Sequence, residues 1–129
     1  MDERELQRRT KQFALRVMTL VDALPKSASA RTVGGQLVRA GTSVAANYRA
    51  ACKGRSKAEF ISKLGTVEEE ADESAFWMEL LVEGHLMSDA KVRALRDEAV
   101  QLTAIMAASR ITASRRHSIA NRKSQIANP

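Results

Sequence analysis

Four stretches of this chain repeat apolar residues at steps of three and four, and a helix stop separates each from the next. That is the periodicity of helices with one buried face. In the first stretch, Glu3 to Leu24, the face is Leu6, Phe13, Val17, Leu20, Val21 and Leu24. Pro25 closes it, since proline has no N–H to give and pushes the residue before it out of the α region. The second stretch, Ala30 to Lys53, has Ser27 or Ser29 as its N-cap and Gly54 as its stop. Its face is Val33, Leu37, Gly41, Val44, Tyr48, Ala51 and Cys52. Gly34-Gly35 weakens its first turns by about 1 kcal/mol per Gly relative to Ala, so the helix is expected to begin or kink there.

The third stretch opens on Ser56-Lys57-Ala58-Glu59, the spacing of a capping box. Its stripe is Phe60, Leu64, Val67, Ala71, Ala75, Met78 and Val82, and Gly84 ends it. The fourth begins near Ser88-Asp89 and runs through Val92, Leu95, Ala99, Leu102, Ile105 and Met106, with fraying expected from Ser109 to Ala113. No stretch alternates with period two, and the connections are short. The expected fold is all-α: an antiparallel up-down-up-down four-helix bundle over residues 1–109.

Two features of the bundle point to assembly. Ala40, Ser43, Asn47 and Ala50 form a second row of small residues on the second helix, beside Gln36. Small side chains let helix axes approach closely, so this helix can be embraced on two sides. On the third helix, Phe76, Trp77 and Leu80 lie behind the core stripe. They are expected either to form an oligomer interface with Ser43 and Asn47 or to be covered by the connection around Leu86 and Met87.

The charge of the chain is unevenly placed. Of a net +6, residues 1–109 hold 16 basic and 15 acidic side chains, and residues 110–129 hold five basic and none acidic. The tail also repeats Ile-Ala-Asn, at 119–121 and 126–128. Two copies cannot build a solenoid, so the tail is expected to be disordered. Its charge suits a polyanion, or solvent alone. No apolar run approaches the roughly 20 residues of a membrane span. The charged N-terminus has no signal-peptide core. The lone Cys52 fits a reducing cytoplasm and the role of a small buried hydrophobe.

Catalytic chemistry is not nominated. Glu69 and Glu73 share a helix face, but the Glu-x-x-His pattern of di-iron bundles is absent, and His85 and His117 fall in a connection and in the tail. No cofactor and no metal are expected. Arg39 and Arg49 project from the outer face of the second helix, Lys53 and Arg55 follow at its C-terminal end, and these four are the candidate nucleic-acid contacts. Their alternative role is pairing with the acidic run Glu68–Glu73.

The segments "QLVRAGTSVAANYRAA" and "SKAEFISKLGTVEEEADESAFWMELL" resemble the four-helix-bundle proteins associated with intervening sequences in bacterial 23S ribosomal RNA genes. The resemblance spans roughly residues 10–107 and leaves out the repeat tail. Where that family often has Glu after Tyr-Arg, this chain has Ala50. The resemblance implies a homopentameric ring, and relatives include a retroelement accessory protein that binds RNA and reverse transcriptase. Two functions follow as expectations. One is a non-catalytic oligomer that binds RNA or DNA through basic surface residues. The other is an oligomeric scaffold for another protein, without nucleic-acid contact.

Overall fold

The computed structural model describes residues 1–127, and they form four helices and no strand. These are α1 (Glu3–Asp22), α2 (Ala28–Cys52), α3 (Lys57–Glu83) and α4 (Asp89–Ala127). Asp2, Ser27 and Ser56 cap the first three, each accepting a hydrogen bond from a backbone N–H three residues on. Ser56 and Glu59 make half of the expected capping box. The Ser56 hydroxyl accepts from the Glu59 N–H at 3.1 Å, while the Glu59 carboxylate reaches the Arg55 N–H at 3.3 Å. The helix α2 begins at Ala28 and passes unbroken through Gly34-Gly35, because packing there outweighs the propensity loss.

One core joins the four helices. Phe13, Leu37, Leu64, Met78, Leu81, Leu102 and Met106 are fully buried within it. Each such side chain contributes about 1.5–3 kcal/mol relative to its exposed state. The buried hydroxyls of Thr10 and Ser74 donate to the carbonyls of Leu6 and Glu70, both at 2.8 Å, so neither is left unsatisfied.

The glycines of α2 explain how tightly α1 lies on it. A Cβ at Gly41 would stand 2.9–3.0 Å from three atoms of Val17, and one at Gly34 would stand 2.9 Å from Leu24. The glycines of the core face are therefore used within the chain, as is Ala40 of the second small-residue row. Gly34 and Gly41 admit α1, and Ala40 is fully buried. Ser43 and Asn47 are half-buried and satisfy one another, the Asn47 amide donating to the Ser43 carbonyl at 2.9 Å and hydroxyl at 2.8 Å.

One local expectation holds with a different turn geometry, and one changes. The helix α3 stops at Gly84, but the left-handed residue that turns the chain is His85, with φ of 58°. Gly84 is required for closeness instead, since a Cβ there would meet the Leu80 carbonyl oxygen at 2.9 Å. And α4 does not fray at Ser109–Ala113; the residues expected to form a disordered tail continue it to Ala127. No Gly or Pro occurs from residue 85 to 128, and Ala, Arg, Lys, Gln and Ile dominate the stretch, so nothing there stops a helix. Arg110 fastens this segment to α3, crossing over Gly65 to donate from Nε to Glu68 at 2.8 Å. The end of the second Ile-Ala-Asn copy, at residue 128, lies outside the described residues. Among the described residues, no helix is long and apolar enough to cross a membrane.

Candidate nucleic-acid interface

The register of α1 against α2 brings basic residues of both helices together. Val17 meets Gly41 and Leu24 meets Gly34, so the two helices run in opposite directions. That register sets Arg8 and Lys11 opposite the stretch from Asn47 to Lys53. Between them lies a groove of about 710 Å³, walled by Gln7, Arg8 and Lys11 on one side and Arg49 and Lys53 on the other. Thr42, Ala45 and Ala46 form its floor. The alanines of "SVAAN" thus give depth to a cleft whose rim carries four cations.

No carboxylate lines the groove. All four cationic side chains are exposed, and none forms an ion pair among the described residues. Four like charges around one cleft raise its potential, and anions relieve their mutual repulsion.

Of the four residues nominated from sequence, Arg49 and Lys53 are in this groove. Arg39 is not. Its guanidinium turns to α3, with Nη2 2.5 Å from Glu73 and Nη1 3.4 Å from Glu70. Although Arg39 is 49% exposed, two carboxylates hold its donors, and they raise its pKa above the ordinary value. Glu73 is held below the usual carboxylate range, first by the Trp77 indole N–H at 3.1 Å and then by Arg39. Arg55 stands in the turn after α2, beside Lys57 and Cys52. Arg8 and Lys11 carry no signal of their own in the sequence, because it appears only once the α1–α2 register is known.

The aromatic surface is divided. Trp77 is half-buried and packs on the core, as do Leu86 and Met87. Phe76 meets Trp77 edge-on with ring centroids 5.1 Å apart, yet remains 49% exposed, and Leu80 is 36% exposed. Cys52 is half-buried against the core, and burial pushes its thiol pKa up. Among the described residues, no three His, Cys, Asp or Glu side chains are arranged to hold a metal.

A sequence profile of the 23S rRNA-intervening sequence proteins matches residues 3–108. The chain belongs to that family. Within solved structures, this 23S rRNA-intervening sequence protein is similar to a protein of unknown function from the S23 ribosomal protein family of Bacteroides thetaiotaomicron. The two superpose with a TM-score of 0.79 at 25% identity, over 85% of this chain and 98% of the other. Comparison with curated proteins returns no match. The family match ends at residue 108, so the helical extension of α4 lies beyond it.

Proposed function

We propose that this 23S rRNA-intervening sequence protein is a non-catalytic binder of RNA or DNA, acting through the α1–α2 groove. The carrying observation is the set of four cations, Arg8, Lys11, Arg49 and Lys53, that form no ion pair among the described residues, around a cleft whose described lining has no carboxylate. Phosphates are the ligands such a cleft favours, since each one neutralised releases condensed counterions. Aromatic residues are absent from its lining, so the contact is with backbone phosphates and not with stacked bases.

In the same reading the bundle is up-down-up-down and assembles with copies of itself in a cytoplasmic setting. The opposed course of α1 and α2 and the exposed Phe76 and Leu80 support this, as does resemblance to ring-forming homopentamers. A ring would repeat the groove and multiply weak contacts by avidity. The second reading, a protein-binding scaffold, is favoured by that same apolar surface and by the internal pairing of Arg39.

A structured RNA titrated across a salt series separates these readings. Full-length protein is expected to bind with log K falling linearly in log salt. Arg49→Glu with Lys53→Glu should weaken binding across sequences and lower the slope by about 2, one for each phosphate no longer neutralised. Binding unchanged by loss of Arg49 and Lys53 would refute the groove, and no binding at all would favour the scaffold.

A further inference from the structure

The outer face of α3 and the extension of α4 are complementary in both charge and apolarity. On α3, Glu69, Asp72, Phe76, Glu79, Leu80 and Glu83 are all exposed. At 100° per residue they share an arc of about 100°. None of these four carboxylates forms an ion pair among the described residues. The face is therefore an acidic strip around two bare apolar side chains.

The α4 extension carries the opposite pattern. Ile111, Ile119 and Ile126 are 43%, 47% and 80% exposed. Arg115 and Arg122 fall between them around the helix, and Lys123 lies at the edge, within an arc of about 120°. The centre of this arc lies away from the cleft of about 690 Å³ where Ala113, His117 and Ala120 face Lys57, Phe60 and Glu3 of the same chain, while Thr112, toward the arc's edge, also lines that cleft. No acidic residue occurs beyond Glu98.

The two surfaces cannot meet within one chain. Arg110 is bonded to Glu68, and beyond it α4 passes the start of α3 at Lys57 and Phe60, away from Phe76 and Glu83. The lengths agree between chains. Ile111 to Ile126 spans about 22 Å and Glu69 to Glu83 about 21 Å, at 1.5 Å per residue. Nucleic acid would match the cations of the extension, but its phosphates offer nothing to the three isoleucines.

We propose that the α4 extension of one copy docks on the acidic outer face of α3 in a second copy, with Ile119 and its neighbours against Phe76 and Leu80. The contact is heterologous, so each copy offers a free extension and a free face, and repetition closes a ring or extends a filament. This rests on the reading that Phe76 and Leu80 lie between copies, and it adds what covers them.

Charge reversal in the full chain tests the pairing. The first variant is Arg115→Glu/Arg122→Glu, and the second is Glu79→Arg/Glu83→Arg. All four positions are exposed, and circular dichroism would check that helicity is kept. By sedimentation, wild type is expected as a multimer and each variant alone as a 14.2 kDa monomer. An equimolar mixture should form multimers again, because every joint between unlike variants pairs opposite charges, although an odd-membered ring cannot be closed by strict alternation. The inference is overturned if the first variant keeps the wild-type mass, or if the mixture stays monomeric. It is equally overturned if the first variant keeps its mass and loses RNA, for the extension then serves nucleic acid. Leu80→Glu separates the two claims. If it alone yields monomers, the α3 interface stands without the extension. If wild type is monomeric at all concentrations, both fall.

Discussion

Replacing Gly41 by Ala tests how α1 is held against α2. In an unobstructed helix interior the exchange stabilises by about 1 kcal/mol, through lower backbone entropy in the unfolded chain. At Gly41 the new methyl would stand 2.9 Å from both Val17 methyls and 3.0 Å from the Val17 Cβ. Val17 is fully buried. As a β-branched residue in a helix it has one strongly preferred rotamer, so turning the side chain cannot clear the contact. Either α1 shifts or the core is overpacked, at a cost of about 1–3 kcal/mol, and the rigid neighbour argues for the upper half of that range. Net destabilisation should be about 1–2 kcal/mol. Gly35 is the internal control, because a Cβ there meets nothing within 4 Å. Gly35→Ala should stabilise by about 1 kcal/mol. Urea unfolding followed by circular dichroism should thus move in opposite directions for two identical substitutions on one helix. In a Val17→Ala background, Gly41→Ala should become neutral or stabilising, which a double-mutant cycle reads as coupling. If Gly41→Ala stabilises the wild-type chain as much as Gly35→Ala does, the close approach of α1 and α2 is wrong.

Other outcomes follow from single residues. His85→Gly should raise stability by about 1 kcal/mol, since glycine adopts the positive φ without strain, and a thermal melt would show it. Glu73 is held below its ordinary pKa of 4.5 by the Trp77 indole and Arg39, so its contribution is present above that value and fades as pH falls through the lower folded one. Acid titration of Trp77 emission should follow this loss, and Glu73→Gln should flatten it; an unchanged profile would remove Glu73 as the cause. Burial raises the Tyr48 pKa above its ordinary 10.0, with Cys52 nearby adding to it. Stability from the neutral phenol is full below pH 10 and is lost as pH rises, so this lone tyrosine should ionise together with loss of helicity and not before.

What is legible in the sequence is what one helix dictates alone. The stripes on α1 to α4 supply most of the core, because three-and-four spacing needs no knowledge of a partner. Ser27 and Ser56 are readable as caps for the same reason. Features that depend on a neighbouring helix are not. Arg39 and Arg49 look equivalent, yet Arg39 meets Glu73 across the α2–α3 seam and Arg49 opens on the α1–α2 groove. Arg8 and Lys11 become part of a site only through the register that Gly41 and Val17 impose. The extension misleads for a different reason. Its short polar repeat suggests disorder, while its lack of any helix stop is the stronger signal, and the Arg110–Glu68 bond that anchors it is a tertiary fact.

The nearly neutral body of this protein conceals a separation of charge. Arg9, Arg39, Arg93, Arg96 and Arg110 are each tied to a carboxylate of the same chain. Among the described residues, the charges without an ion pair include four cations around the α1–α2 groove and four carboxylates on one outer face of α3. At physiological ionic strength the screening length is about 8 Å, less than the width of one helix with its side chains, so an approaching ligand responds to each face separately. A polyanion is then drawn to the groove and repelled from α3. A basic helix has the reverse preference, and this chain carries one in the extension of α4. A sum over residues 1–109 would have excluded both events. The positions of the unpaired charges are what allow them.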